Sequence, residues 1–233
     1  MQLDSKLPHV GTTIFSIMSR MAAESNAINL SQGFPDFNAP RELLDAVTEA
    51  MLSGQNQYAP QNGVEELRVA IAKKSEAIYG ANLDKDQEIT VSSGASEAIF
   101  NAVTAVIHPG DEAILFDPAY DCYEPAIRLA GGVAKRIPLK FPSYDYDWDQ
   151  VRDTLSPKTR LIMINSPHNP TGKILRDQDI EALTTIVRDH DCVLISDEVY
   201  EHIVFDGEPH RSFLKYPELR ERSFVISSFG KTY

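Results

Sequence analysis

The polar residues of this sequence that can do chemistry come directly after short apolar stretches. Lys231 ends the run SSFGK of residues 227–231, which overlaps the end of the apolar run SFVIS. A lysine amine can form an imine with an aldehyde, and once released it can act as a general base. Asp197 follows the apolar run CVLIS and can keep a ring nitrogen protonated, which makes a pyridinium ring an electron sink. A cationic ring would also lower the pKa of the lysine by like-charge repulsion.

A helix start built from small residues provides a candidate anion site. Gly94, Ala95 and Ser96 follow a predicted strand and open a predicted helix. The free backbone amides and the dipole at a helix N-terminus favour a phosphate group, and the hydroxyls of Ser96 and Ser228 can add donors. Taken alone this is an ordinary helix start, so the hypothesis depends on the other groups.

Three further residues suit a flat aromatic ligand that carries an oxygen substituent. Tyr120 can stack on the ring, and Asn169 and Tyr200 can donate hydrogen bonds to a phenolate oxygen. Each has a simpler interpretation: Tyr120 can be core packing, and Asn169 lies in the sequence NPTG, which favours a turn. Asp197 can likewise serve only to cap a helix.

Alternating predicted strands and helices position these residues. Strands are predicted from short apolar runs at 87–92, 112–116, 133–139, 160–165, 192–196 and 223–227, and helices from apolar spacing at 42–52, 64–79, 95–107, 123–129, 148–155 and 178–188. Residues 1–40 are expected to be irregular. Strands that are apolar throughout predict an α/β fold with a mainly parallel sheet and helices on both faces. Ligands of such sheets bind outside the carboxyl ends of the strands, where these residues would line one pocket.

The bulk composition describes an acidic globular chain. Its 233 residues carry a net charge of −12, with 42% hydrophobic and 24% charged residues, and they suffice for one large domain or one domain plus part of another. The acidic balance disfavours nucleic acid as a partner, and no apolar run approaches the length of a membrane span. With two cysteines, no C-x-x-C pair and no apolar signal core, we expect a cytoplasmic protein without a structural zinc.

Some residues invite a different interpretation. Gly230, Lys231 and Thr232 resemble the end of a P-loop, but the glycine that this motif requires five residues earlier is replaced by Val225. His168 could act as a base, yet Lys231 already supplies one, so we expect a structural role for His168. Cys122 is expected to be a small buried residue.

Three motifs in order make the chain resemble a known family. They are NSPHNPTG at 165–172, SDEVY at 196–200 and SSFGK at 227–231. The combination resembles fold type I pyridoxal 5'-phosphate (PLP) enzymes, in particular class I and II aminotransferases. The stretches NLSQGFP at 29–35 and NQYAP at 56–60 extend the resemblance over nearly the whole chain. The stretch DPAYDCYEP at 117–125 is most similar to the branch of methionine aminotransferases, kynurenine aminotransferases and cysteine-conjugate β-lyases.

The resemblance implies a role toward PLP for each candidate residue. Lys231 would hold the cofactor as a Schiff base, and Asp197 would contact its pyridine nitrogen. The other cofactor residues would be Asn169 and Tyr200 at the phenolate oxygen, Tyr120 at the ring face, and Ala95, Ser96 and Ser228 at the phosphate.

The same resemblance implies a homodimer. Gly33 would line the substrate site, and Tyr58 would reach the phosphate of the neighbouring subunit. Residues 1–40 would form an N-terminal arm with a small-domain segment, and 41–233 the PLP-binding large domain. The family places two arginines after the lysine, one for the phosphate and one for the substrate carboxylate. A chain that stops at Tyr233 is therefore expected to be truncated and to lack both arginines and the small C-terminal domain.

Transamination is the predicted activity. An amino group would move from an L-amino acid to a 2-oxo acid, with Lys231 as the general base. The branch resemblance suggests methionine, an aromatic amino acid or glutamine as the donor. Two alternatives stay open: β-elimination from cysteine S-conjugates by the same residues, and an inactive fragment or non-catalytic PLP-binding module.

Overall fold

Two units make up the chain, Met1–Ala59 and Pro60–Tyr233. The structure, a computed structural model, describes residues 4–33 and 35–233. The first unit contains two helices, α1 (Ile14–Glu24) and α2 (Arg41–Leu52), and neither has a buried residue. Helix α2 confirms the predicted helix. The division of the chain into an arm and a large domain near residue 40 stays a prediction.

Helix α1 corrects the prediction that residues 1–40 are irregular. Thr13 precedes the helix, and its hydroxyl accepts a hydrogen bond of 3.3 Å from the Ser16 amide. Apolar residues then recur every three or four positions from Ile14 to Met21, which is the spacing of a helix face. The glycines and prolines on either side of this stretch concealed the pattern.

A five-stranded parallel sheet forms the centre of the second unit. Its strands are β1 (Glu112–Asp117), β2 (Val133–Pro138), β3 (Thr159–Asn165), β4 (Val193–Asp197) and β5 (Ser223–Ile226). They pair in the order β2-β1-β3-β4-β5, and every pair is parallel. The predicted parallel sheet is confirmed, and each of these strands agrees with its predicted range to within one residue at either end.

Helices cover both faces of the sheet, as predicted. They are α3 (Glu65–Tyr79), α4 (Ala95–Val106), α5 (Tyr123–Leu129), α6 (Trp148–Thr154), α7 (Asp177–Asp189), α8 (Pro217–Arg220) and α9 (Phe229–Thr232), with a 3-10 turn at Phe213–Lys215. Helices α3 to α7 confirm the predicted ones, whereas α8 and α9 were not predicted. In the part of the chain described, no helix combines the length and apolar character needed to cross a membrane.

Side chains of the three central strands, β1, β3 and β4, alternate between two apolar cores. Ile114 and Phe116 of β1 join the core beneath α6 and α7, whereas Ala113 and Leu115 join the core beneath α4 and α5. Strands β3 and β4 alternate in the same way. Because both faces are covered, a shift of the pairing register by one residue would move every side chain of a strand into the other core. The burial pattern therefore fixes the register, and with it which residues lie at the carboxyl ends.

Residues 87–92 do not form the predicted strand. Residues 85–88 form a turn in which the Glu88 amide donates to the Asp84 carbonyl at 2.8 Å. The Val91 amide donates to the Asn62 carbonyl at 3.1 Å. Ile89 is buried, so the apolar run does pack, but no described strand pairs with it. The prediction was wrong because an apolar run indicates burial, whereas a strand also needs a partner edge.

Candidate active site

Parallel pairing brings the carboxyl ends of the strands to one edge of the sheet. Asn165 at the end of β3 pairs with Asp197 at the end of β4, which pairs with Ile226 at the end of β5. Past these pairs, the Ser166 amide donates to the Asp197 carbonyl at 3.1 Å. The Glu198 amide donates to the Ile226 carbonyl at 2.7 Å. The loops that carry the candidate site residues therefore begin side by side.

Asp197 is the buried acid of this edge, with 4% of its surface exposed. Its Oδ2 accepts a hydrogen bond of 2.5 Å from the Tyr123 hydroxyl, and its Oδ1 accepts one of 3.3 Å from the Val199 amide. Burial raises the pKa of the Asp197 carboxyl, while both hydrogen bonds and the charge of Lys231 oppose that rise. A cation placed against such a carboxylate would offset the cost of its burial.

Lys231 and Tyr200 lie together at the same edge. The Lys231 Nζ atom is 5.9 Å from the centroid of the Tyr200 ring, within the range of a cation–π contact. Burial raises the pKa of the Tyr200 hydroxyl, Asp197 raises it further, and a hydrogen bond from Asn169 opposes the rise. The structure thus brings together four residues from three separate motifs.

Asn165 holds the loop after β3, a function that the sequence did not reveal. Its side-chain amide donates to the Asp197 carbonyl at 2.9 Å, and its Oδ1 accepts from the Asn169 amide at 2.7 Å. The Tyr146 hydroxyl donates to the Asn165 carbonyl at 3.1 Å. One buried asparagine therefore ties Asn169 to the end of β4. A polar residue that ends an apolar strand was the available signal.

Helix α4 begins at Ala95, next to the loop that carries Tyr120. Gly94 precedes it with φ 87°, a conformation that glycine adopts without strain. No described side chain caps this helix start, and the amides of Ala95 and Ser96 have no acceptor inside the helix. The Glu97 carboxylate accepts a hydrogen bond from the Ser93 amide. The first turn therefore offers free donors, as an anion site requires.

Tyr120 joins the helix start to the buried acid. Burial raises the pKa of its hydroxyl, and a hydrogen bond with the Ser96 side chain opposes the rise. Its ring packs edge-on against the Tyr123 ring, with centroids 5.8 Å apart and planes at 67°. Tyr123 in turn contacts Asp197, so a chain of contacts runs from α4 to β4. The stacking role of Tyr120 stays a prediction.

Three further predicted residues are Ser228, Gly33 and Tyr58. Ser228 directly precedes α9 and is partly buried. Gly33 and Tyr58 belong to the first unit, where both are exposed. Their roles at the phosphate, at the substrate and in a partner subunit stay predictions.

His168 and Cys122 lie near the site, and burial favours the neutral form of each side chain. The His168 Nδ1 atom is 2.8 Å from Thr171 Oγ1. Burial lowers the pKa of His168 to about 4, and a hydrogen bond with the Pro118 backbone opposes this. A neutral imidazole bonded to Thr171 in its own loop agrees with the structural role expected. Cys122 is half-buried rather than buried, and burial together with Asp197 and Asp121 raises the pKa of its thiol to about 12.

Glu198, which follows Asp197, is occupied by structural hydrogen bonds. Its Oε1 accepts from the Ser196 hydroxyl at 2.7 Å and from the Phe213 amide at 3.0 Å. Its Oε2 lies 2.9 Å from His210 Nε2. The side chains of Glu198 and His210 are 2% and 7% exposed. This pair fastens the loop between β4 and the 3-10 turn, and apart from the acidic motif no local pattern indicated it.

The chain belongs to the class I and II aminotransferase family, whose sequence profile matches residues 25–233. It is 51% identical over 229 residues to methionine aminotransferase of Escherichia coli (strain K12), a match that covers 98% of this chain and 59% of that protein. It is 34% identical over 239 residues to kynurenine–oxoglutarate transaminase 3 of Homo sapiens, over 98% of this chain and 53% of the relative.

Solved structures of this family have the same fold. A crystal structure of the methionine aminotransferase of Escherichia coli matches with a TM-score of 0.95 and 49% identity, over 100% of this chain and 61% of that chain. N-succinyldiaminopimelate aminotransferase of Mycobacterium tuberculosis matches with a TM-score of 0.92 and 39% identity, over 97% and 60%. The chain therefore spans about three fifths of the length of these solved relatives.

Proposed function

We propose that this chain is a PLP-dependent aminotransferase, which moves an amino group from an L-amino acid to a 2-oxo acid. The observation that carries the proposal is the buried Asp197 carboxylate at the sheet edge, with Lys231 and Tyr200 beside it. Members of the class I and II aminotransferase family are PLP-dependent, which supports the same conclusion.

The donor set of the site fits PLP. A buried carboxylate whose pKa is raised by burial needs a cationic partner, and a protonated pyridine nitrogen is one. The uncapped first turn of α4 suits a phosphate. Asn169 and Tyr200 would bind the ring oxygen, Tyr120 would cover the ring face, and Ser96 and Ser228 would add phosphate donors.

The residues of the chain would position the cofactor and move protons. When bound, PLP supplies an aldehyde for covalent attachment and a ring that accepts electrons. The Lys231 amine would provide the attachment point and, when free, would take the proton from the substrate α-carbon and deliver it to the former aldehyde carbon of the cofactor. Asp197 keeps the ring nitrogen protonated, and its burial strengthens this charge pair relative to one in water.

Finer assignments follow from the relatives and from the sequence. We propose methionine, an aromatic amino acid or glutamine as the donor, since relatives are named methionine aminotransferase and kynurenine–oxoglutarate transaminase. We also propose a cytoplasmic homodimer in which Tyr58 reaches the phosphate of the partner and Gly33 lines the substrate site. Both residues are exposed in the first unit, so they are available for such contacts.

Reductive trapping tests the attachment. The chain is incubated with PLP, reduced with borohydride and digested, and the pyridoxyl label is located by mass spectrometry. We expect the label on Lys231 and its loss in Lys231→Arg, which keeps the charge. Lys140→Arg, which alters another exposed lysine, is the control and should label normally. A chain without label on Lys231, or an unchanged label level in Lys231→Arg, contradicts the proposal.

A second assay addresses the reaction. The PLP-loaded chain is given L-methionine with and without a 2-oxo acid, and separately a cysteine S-conjugate. Amino transfer that depends on the 2-oxo acid supports the aminotransferase. Pyruvate released from the conjugate without any acceptor, and no amino transfer, would favour β-elimination instead.

A further inference from the structure

Glu201 is a buried carboxylate outside the predicted cofactor residues, and its side chain is 4% exposed. Its Oε1 accepts hydrogen bonds from Lys74 Nζ at 2.7 Å and from the Ser227 hydroxyl. Its Oε2 accepts one of 2.5 Å from the Tyr79 hydroxyl, and His202 Nε2 lies 3.7 Å away. The donors come from two separate parts of the fold, helix α3 and the residue after β5.

These donors keep Glu201 ionised. Burial acts to raise the pKa of its carboxyl, but hydrogen bonds from Lys74, Ser227 and Tyr79 outweigh burial, so the pKa is lowered. Burial and the hydrogen bond to Glu201 raise the pKa of the Tyr79 hydroxyl, which therefore stays a donor. Charge-assisted hydrogen bonds of this kind are stronger and more directional than neutral ones.

Glu201 and its hydrogen-bond partner Ser227 are sequence neighbours of candidate site residues. Glu201 directly follows Tyr200, and Ser227 directly precedes Ser228. The ladder between β4 and β5 ends at Asp197 and Ile226, with one further backbone bond from Glu198. Beyond that point, the carboxylate–hydroxyl contact continues the connection between the two loops.

We propose that Glu201 is a positioning residue that sets the separation between Tyr200 on the loop after β4 and the segment after β5 that holds Ser228 and Lys231, with α3 as its anchor. The proposal rests on the proposed function, since the two loops would hold the ring oxygen, the phosphate and the attachment point of one cofactor. A ligand gripped at both ends needs the two loops at a fixed spacing, and the hydrogen bond to Ser227 supplies it.

A matched pair of variants separates this role from general support of the fold. Ser227→Ala and Tyr79→Phe each remove one hydroxyl donor from the same carboxylate, the first on the β5 side and the second on the α3 side. Tyr79→Phe keeps the ring, which packs edge-on with His210 at 6.2 Å. Ser227→Thr restores a hydroxyl and serves as the conservative rescue.

Three measurements on the full chain decide the matter: amide hydrogen exchange without cofactor, PLP affinity from its visible absorption, and the thermal midpoint. For Ser227→Ala we expect faster exchange at residues 228–231 and a PLP affinity lower by about tenfold, the loss of roughly one charge-assisted hydrogen bond. Tyr79→Phe leaves Lys74 as the anchor on α3, so it should lower the thermal midpoint and leave exchange at 228–231 unchanged. Ser227→Thr should return both values toward those of the unsubstituted chain.

Two outcomes overturn the proposal. Equal changes in exchange at 228–231 for Ser227→Ala and Tyr79→Phe would make Glu201 a general support of the fold. Unchanged exchange in Ser227→Ala would remove its link to the loop. The exchange experiment needs no cofactor, so its result stands even if the chain fails to bind PLP, which would count against the proposed function alone.

Discussion

The Tyr123 hydroxyl donates a hydrogen bond of 2.5 Å to Oδ2 of Asp197, and both residues are buried. The donor stabilises the ionised carboxylate against the effect of burial. The Tyr123 ring also packs edge-on against the Tyr120 ring. Tyr123 therefore stabilises the ionised form of Asp197 and also packs against Tyr120, the residue expected to cover the cofactor ring.

Tyr123→Phe should weaken PLP binding by about tenfold, because the charge-assisted hydrogen bond to Asp197 is lost while the ring remains. The affinity is measured from the visible absorption of the cofactor over a range of pH. The difference from the unsubstituted chain should be largest at the acidic end, since the pKa of Asp197 would rise further without its donor. Tyr216→Phe, in the core on the opposite face, should bind normally. Identical binding curves for Tyr123→Phe and the unsubstituted chain would refute this.

Asp197→Asn should make the cofactor-free chain more stable at neutral pH. Burial raises the pKa of Asp197 in the folded chain. The contribution of this carboxyl to the free energy of unfolding is therefore most favourable below its unfolded-state pKa, and it is lost as the pH rises through its folded-state pKa. The variant avoids that loss, and we expect a gain on the order of 1 kcal/mol in the free energy of unfolding at neutral pH. The gain should disappear near pH 4. Asp36→Asn, at an exposed carboxyl, should show no such pH-dependent gain, and a less stable Asp197→Asn at pH 7 would contradict the argument.

In His168→Asn the free energy of unfolding should fall less on mild acidification than it does in the unsubstituted chain. The pKa of His168 is lowered by burial to about 4, so its contribution is present above the unfolded-state pKa and is lost as pH falls toward the folded value. Between pH 7 and pH 5 this amounts to about 1 to 2 kcal/mol. Denaturant unfolding of both chains at the two pH values measures the difference. Parallel losses in the two chains would show that His168 is not held neutral.

Gly63→Ala should destabilise the chain by about 3 kcal/mol through combined backbone and steric strain. Gly63 has φ +98°, and a Cβ atom there would lie 2.6 Å from Val91 Cγ2. Gly207→Ala is the matched control, because Gly207 has φ +73° and a Cβ would meet nothing within 4 Å. We expect it to cost about 1 kcal/mol from the backbone alone. Equal losses in denaturant unfolding would rule out the contact with Val91.

Local pattern was enough to predict most of the second unit. Strands such as β3 are short and apolar throughout, and helices such as α7 repeat apolar residues on one face, so their limits agree with prediction to within one residue. The stretch QEITVS at 87–92 contains the β-branched residues typical of a strand but has no described strand beside it, and no local window contains that information. Helix α1 was not predicted, because the glycines and prolines on either side of it indicated irregular structure although its own apolar residues have helical spacing.

At the candidate site each motif predicts one role from its own residues, as with Lys231 and Asp197, and these roles stay predictions. The supporting contacts were not, because they join residues far apart in sequence. Tyr123 and Asp197 are separated by 74 positions, and Lys74 and Glu201 by 127. Nothing in either local sequence specifies the other partner. Such pairs emerge only once the register of the sheet is known.

The order of the site residues along the chain matters during biosynthesis. A ribosome delivers the start of α4 first, then Tyr120, then the loops after β3 and β4, and Lys231 only after the last strand, β5. An emerging chain thus has its acid and its aromatic groups before it has an amine at this site. With Lys231 as the proposed attachment point, covalent capture of an aldehyde would follow the synthesis of all five described strands.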